Sequence, residues 1–198
     1  MGKHSSFYEL GDIQAAQILD PNFLFLNSTL VHTNGRKLRG HVSYFSARSW
    51  RKELKPLQIS SVRNLKANPT NAALNAIAEE IAQCAFAVTN GNPYEFVCGV
   101  PGGTSRKREN FATLIARSVA SGMNVEFCSV LQTISHGSGH SSHPHESLQF
   151  RARFGDEMPK GKIGLLVDDV ATTGAHFAQC VEQFQKLDIS IVCVSWIA

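Results

Sequence analysis

Ile163-Gly164-Leu165-Leu166-Val167-Asp168-Asp169-Val170-Ala171-Thr172-Thr173-Gly174 is the stretch on which the fold turns. Apart from one glycine its first five residues are apolar without alternation, which suits a strand covered on both faces in a parallel sheet. Two carboxylates then stand at the strand's end, followed by an apolar residue, small residues and a glycine. From Ala175 to Leu187 the spacing turns helical, and Ile189 to Trp196 reads as a final strand.

The same alternation runs upstream. Asn68-Pro69 reads as a helix N-cap with proline at the first helical position. Leu74, Ile77, Ile81, Cys84 and Val88 then recur at spacings of three and four, and Asn90-Gly91-Asn92-Pro93 ends that helix. Tyr94 to Val100 is a short buried strand, and Asn110 to Ala120 a helix with Phe111, Leu114, Ile115 and Val119 inward. Gly122 is its expected C-cap, and Val125 to Leu131 another strand. Alternating buried strands and helices predict an α/β fold, a parallel sheet with helices on both faces. Ligands of such sheets bind beyond the carboxyl ends of the strands, here just after Val100, Leu131 and Val167.

Before residue 68 the pattern is weaker. Residues 1–20 read as a helical or irregular lead-in, Phe23 to Val31 and Lys37 to Phe45 as strands, and Trp50 to Ser61 shows no period. Asn34-Gly35 tolerates the positive φ of a tight turn and predicts an N-terminal hairpin or small antiparallel ribbon. With no linker and no repeat, residues 1–198 form one domain, a ribbon or hood over about 1–67 and a core over about 68–198.

Hydrophobic residues are 43% and charged residues 18% of the 198, the balance of a globular chain rather than a disordered one. No apolar run reaches the roughly 18 residues of a membrane span, and nothing after Met1-Gly2-Lys3-His4 resembles a secretory signal. Cys84, Cys98, Cys128, Cys180 and Cys193 are odd in number with no CxxC spacing, as expected of reduced, buried thiols in a cytoplasmic protein. A net charge of +3 suits an anionic small ligand and gives no indication of nucleic acid.

The chemistry lies in the turn after Val167. Gly174 and its small neighbours let backbone N–H groups close around a phosphate, and the following helix N-terminus adds partial positive charge. Thr172 and Thr173 bring hydroxyl donors. Asp168 and Asp169 only accept hydrogen bonds, so beside a phosphate they suit sugar hydroxyls or a hydrated divalent cation. The alternative, two turn residues capping a helix, accounts for the acidic pair but not for the whole arrangement. A second strand-to-helix junction is Pro101-Gly102-Gly103-Thr104-Ser105-Arg106-Lys107-Arg108, where glycines and cations suit a pyrophosphate or form a solvated basic turn. The loop His136 to His145 holds four histidines among Gly and Ser. It could be a mobile lid, a metal site or a surface loop.

The Val167–Gly174 segment resembles the phosphoribosyl-pyrophosphate loop of type I phosphoribosyltransferases. The resemblance implies their parallel-sheet core with a small hood. It also implies contacts from Asp168 and Asp169 to the ribose hydroxyls, and a wrap of the 5-phosphate by Val170, Ala171, Thr172, Thr173, Gly174 and Ala175. Pro101 to Lys107 falls where the family keeps its pyrophosphate loop. Asp168, Asp169 and Arg106 become the candidate catalytic residues, and Mg²⁺ the expected cofactor, held by Asp168 and Asp169 directly or through water. Arg151, Arg153 or a loop histidine could also stabilise departing pyrophosphate. Phosphoribosyl pyrophosphate and an unidentified, nitrogenous acceptor are the implied substrates, as in a pentosyltransferase of nucleotide metabolism, with a homodimer as an open alternative to a monomer. The pattern over about 95–198 is similar to competence protein ComF and its relatives, on Pro101, Arg106-Lys107-Arg108, Asn110-Phe111 and Glu146 to Phe154. Their N-terminal cysteine-rich zinc module is missing. Thr172 stands where some purine-salvage members place an aspartate, which disfavours hypoxanthine or guanine as acceptor. Tyr44, Phe45 and Trp50 could stack on a base or simply pack in the core. A regulator that binds a phosphoribosyl nucleotide and acts through a protein partner is the second reading.

Overall fold

A computed structural model describes residues 20–102, 109–133, 152–155 and 158–198. The described residues open with a helix, α1 (Pro21–Thr29), where the sequence reads as a strand over Phe23 to Val31. The deciding signal lies just upstream: the Asp20 carboxylate accepts from the N–H groups of Asn22 and Phe23, and Pro21 opens the first turn. Two antiparallel strands follow, β1 (Val31–Arg39) and β2 (Val42–Ser49). The hairpin is thus present but displaced from its expected place. Asn34-Gly35 lies inside β1 at a register shift between His32 and Gly35, and the turn is made by Gly40 at φ 58°. The stretch without a visible period contains a 3₁₀ turn (Lys52–Leu54) and α2 (Lys55–Ala67), whose buried side is only Gln58, Val62 and Leu65.

α3 (Asn71–Thr89) is capped by Thr70, not by Asn68; Asn68 closes the end of α2 instead. Its far end stops on Asn90 in the left-handed region, as the Asn-Gly-Asn-Pro run predicts. β3 (Phe96–Gly99) leads to α4 (Phe111–Met123), whose C-cap is Asn124 at φ 54°, with Gly122 still inside the helix. The single strand expected over Val125 to Leu131 is two short ones, β4 (Glu126–Phe127) and β5 (Leu131–Thr133). The latter pairs with β6 (Ala152–Phe154) in a separate two-stranded sheet. β7 (Ile163–Val170), α5 (Ala175–Gln185) and β8 (Ser190–Ile197) complete the chain.

The main sheet has the order β1-β2-β8-β7-β3-β4, parallel except for the β1–β2 pair. The ribbon is therefore continuous with the sheet, since β2 runs beside β8. Successive strand residues face opposite sides, and the cores follow. Val97, Leu165, Val167, Val194 and Trp196 pack with α1 to α4, whereas Phe96, Cys98, Leu166 and Cys193 pack with α5 and the small sheet. All five cysteines are buried thiols outside any disulfide, with burial alone lifting the Cys84 thiol to about 11. No helix among the described residues is long and apolar enough to cross a membrane.

Candidate functional site

β7 runs three residues further than its apolar stretch implies, so Asp168 and Asp169 are strand residues and take opposite sides. Each is only 7% exposed. Asp169 lies on the side of α2, where Lys66 Nζ stands 2.7 Å from its Oδ2. Asp168 lies toward Cys180 and Cys193 and accepts the Asp169 backbone N–H at 2.9 Å. Burial raises the Asp168 carboxyl well above the usual carboxylate range and the charge of Asp169 raises it further; that N–H and Lys66 pull the other way.

Past the strand, Ala171 N–H is tied to Ile197 O at 2.9 Å, and the chain then turns through Thr172 and Thr173 to Gly174 at φ 70°. Only glycine fits there. A Cβ at Gly174 would lie 2.4 Å from Tyr44 Cε1 in a backbone region unfavourable to L side chains. Gly174 is also the N-cap of α5 and so offers no side chain to its first turn, whereas Asp20, Thr70 and Asn110 cap α1, α3 and α4. Asp168, Val170, Thr172, Thr173, Gly174 and His176 line a cavity of ≈ 60 Å³ at this turn, room for a few waters or one phosphate group. Burial holds the His176 imidazole below its ordinary value, against the pull of the Asp169 charge.

β3 brings the second junction alongside. Gly99 presses against α4, since a Cβ there would meet Thr113 Cα at 2.9 Å. Val100 N–H bonds Val167 O at 2.8 Å, fixing the two strand ends side by side. Asn110 accepts the Thr113 N–H at 2.7 Å and donates Nδ2 to Val100 O at 2.9 Å, and Thr133 Oγ1 donates to Gly102 O at 2.7 Å. Pro101 and Gly102 thus stand at the strand end next to Asp168 and Asp169. Gly103, Thr104, Ser105, Arg106, Lys107 and Arg108, the histidine loop 136–145 and Arg151 lie outside the described residues.

No family model matches the chain, and no curated protein matches it. The solved structures it resembles include phosphoribosyltransferases. Adenine phosphoribosyltransferase from Saccharomyces cerevisiae, solved with an imino-altritol bisphosphate and adenine, is 12% identical with a TM-score of 0.48, and 87% of this chain and 88% of that one are covered. The adenine enzyme from Thermoanaerobacter pseudethanolicus is 15% identical, with 88% and 98% covered and a TM-score of 0.46. Orotate phosphoribosyltransferase from Aeropyrum pernix is 16% identical, with 87% and 77% covered and a TM-score of 0.40. At identities and TM-scores this low, the likenesses bear on neither substrate nor site residues.

Two residues that the sequence pattern does not single out adjoin the site, one by its charge and one by its Cβ. Lys66 reaches Asp169 from the last turn of α2, and the Arg39 Cβ lies 3.1 Å from where a Cβ on Gly174 would stand. No local motif could have found them, because each is far from residue 168 in sequence. Of the aromatic residues, Tyr44 is a core residue under Gly174, its ring 5.5 Å from that of Phe177; Phe45 and Trp50 pack against the other core.

As for a divalent cation, no three His, Cys, Asp or Glu among the described residues converge on one point. The carboxylates diverge and one is matched by an ammonium. The pair fits an ion carried mainly by the oxygens of a ligand, touched by Asp168 or Asp169 through hydroxyls or water, rather than a cage made by protein alone.

Proposed function

We propose that the chain is a phosphoribosyltransferase that binds phosphoribosyl pyrophosphate and transfers the phosphoribosyl group to a nitrogenous acceptor with release of pyrophosphate. The observation that carries this reading is the turn at 171–174. There a helix N-terminus whose N-cap, Gly174, brings no side chain and admits none follows directly on a buried acidic pair. Backbone N–H groups and the helix dipole favour the 5-phosphate, and carboxylates that only accept hydrogen bonds favour the ribose hydroxyls.

In the reaction the bond from C1 of the ribose to pyrophosphate breaks and its electron pair leaves with pyrophosphate. A lone pair on the acceptor nitrogen forms the new bond, and the nitrogen gives up its proton. The transition state carries positive charge on the sugar and growing negative charge on the leaving group, so catalysis is mainly positioning and electrostatics. Asp168 and Asp169 hold the sugar, Val170 to Ala175 hold its phosphate, and Pro101 to Lys107, with Arg106 as the catalytic cation, take the pyrophosphate. Mg²⁺, when bound with the substrate near Asp168 and Asp169, supplies further charge neutralisation for the leaving group. The pattern shared with ComF and its relatives over residues 95–198 supports placing the chain nearest that group, working in the cytoplasm.

Calorimetric titration with phosphoribosyl pyrophosphate, with and without Mg²⁺, tests the reading. Wild type is expected to bind, and Asp168→Asn or Asp169→Asn to weaken binding by about tenfold or more, the scale of a lost charged hydrogen bond. Failure of wild type to bind, or indifference to both substitutions, overturns it. Pyrophosphate release with a panel of bases then separates an enzyme from a binding protein.

A further inference from the structure

Lys66 has no place in the reaction as derived so far, yet it makes the most direct contact to the acidic pair, 2.7 Å from Asp169 Oδ2. The two partners differ in how firmly they are held. The Asp169 side chain is 11% exposed and fixed on β7, while that of Lys66 is 39% exposed on the last turn of α2. A carboxylate so enclosed needs a counter-charge in the ligand-free protein. An ammonium on a flexible stem, with open solvent beside it, supplies that charge and can also leave.

We propose that Lys66 is an exchangeable internal counter-ion that keeps free divalent cations off the Asp169 carboxylate, so that a cation reaches it only together with an anionic ligand. The inference rests on the phosphoribosyl-pyrophosphate reading for the identity of that ligand, but not for its first step, the competition at Asp169. When sugar hydroxyls or a ligand-borne cation reach Asp169, the ammonium is released and swings toward the negative charge that arrived with them. Lys66 is thus a positioning residue. It sets the order of occupancy and leaves the bond-breaking chemistry to other groups.

The test uses Mn²⁺ alone as probe, its binding to the full chain followed by paramagnetic resonance without organic ligand. Lys66→Met is expected to tighten Mn²⁺ binding by about fivefold or more, the scale of a partly exposed ion pair. Lys66→Arg, which keeps the charge, is expected to stay within about twofold of wild type. Arg63→Met removes the same charge from the exposed side of the same helix. It too is expected within about twofold, which separates a local exchange from a change in overall charge. In an Asp169→Asn background the gain from Lys66→Met is expected to vanish. An unchanged or weaker Mn²⁺ affinity in Lys66→Met overturns the proposal, as does an equal gain in Arg63→Met or a gain that survives Asp169→Asn. None of these measurements uses phosphoribosyl pyrophosphate, so failure of the substrate reading in calorimetry and failure of the counter-ion remain distinguishable.

Discussion

Asp168 shows how much one carboxyl can ask of the chain around it. It sits at the end of β7 with little water, a second acid as its neighbour and two buried thiols beneath it. Burial and then the Asp169 charge raise its affinity for a proton, so the native state keeps a proton that the unfolded chain releases near 3.8. The sign follows from linkage: the contribution of Asp168 to stability is fully present below about 3.8 and is lost as pH rises through its higher folded value. One proton accounts for at most about 1.4 kcal/mol per pH unit. His176 works in the opposite direction, because its imidazole is held neutral by burial and its contribution is lost as pH falls. Comparison with Asp168→Asn isolates the acid. Urea unfolding between pH 4 and 8, followed by tryptophan fluorescence, is expected to show wild type losing stability with rising pH more steeply than the variant. Equal slopes would mean that Asp168 ionises normally. A ligand that supplies hydroxyl donors to this carboxyl relieves the same strain.

At the scale of elements, the junction from β3 to α4 hangs on one side chain. Asn110 caps α4 through Thr113 N–H and at the same time satisfies Val100 O at the end of β3. Asn110→Ala is expected to cost about 1–2 kcal/mol, the sum of a lost cap and an orphaned carbonyl. Asn110→Asp, which keeps the cap and loses the donor, should recover about half in chemical denaturation; an Asn110→Asp variant as stable as wild type would mean the bond to Val100 O contributes nothing. The elements legible in the sequence are those whose burial imposes a period or an unbroken apolar run: α3, α4, β7 and β8. Those misread lack that constraint. In α1 four apolar residues, Phe23 to Leu26, stand in a row, which suits strand or helix equally until the Asp20-Pro21 start is weighed. α2 buries only three residues, one of them Gln58, and β1 is an edge strand exposed along most of its length, so neither carries a clear pattern. The acidic turn was legible for the opposite reason, that its parts are contiguous in sequence. Lys66 and Arg39 come to it through tertiary folding and leave no local trace.

Across the whole molecule, the turn depends on a scaffold anchored well away from it. Arg48, 2% exposed, joins Glu80 of α3 through Nε at 2.8 Å and Nη2 at 2.5 Å, and Asn27 of α1 through Nη2 at 2.7 Å. Trp196 Nε1 donates to the same Glu80 carboxylate at 2.9 Å. Four elements, α1, β2, α3 and β8, therefore meet on one buried ion pair. β2 also carries Tyr44, whose ring lies directly under Gly174, so a shift of this strand reaches the turn at 171–174. Removing one partner leaves a buried charge without compensation, which costs about 3–5 kcal/mol, whereas replacing both by apolar groups is often neutral. Glu80→Ala is accordingly expected to lower the melting temperature by about 10 °C for a chain of this length and to weaken phosphoribosyl-pyrophosphate binding as Tyr44 loosens. Arg48→Met combined with Glu80→Leu should restore most of the melting temperature, with the Trp196 donor still unpaired. If the double variant is as unstable as Glu80→Ala, the loss comes from packing and not from the stranded guanidinium. If the double variant regains stability but not binding, the network itself, beyond its contribution to stability, holds β2 in the position that the turn requires.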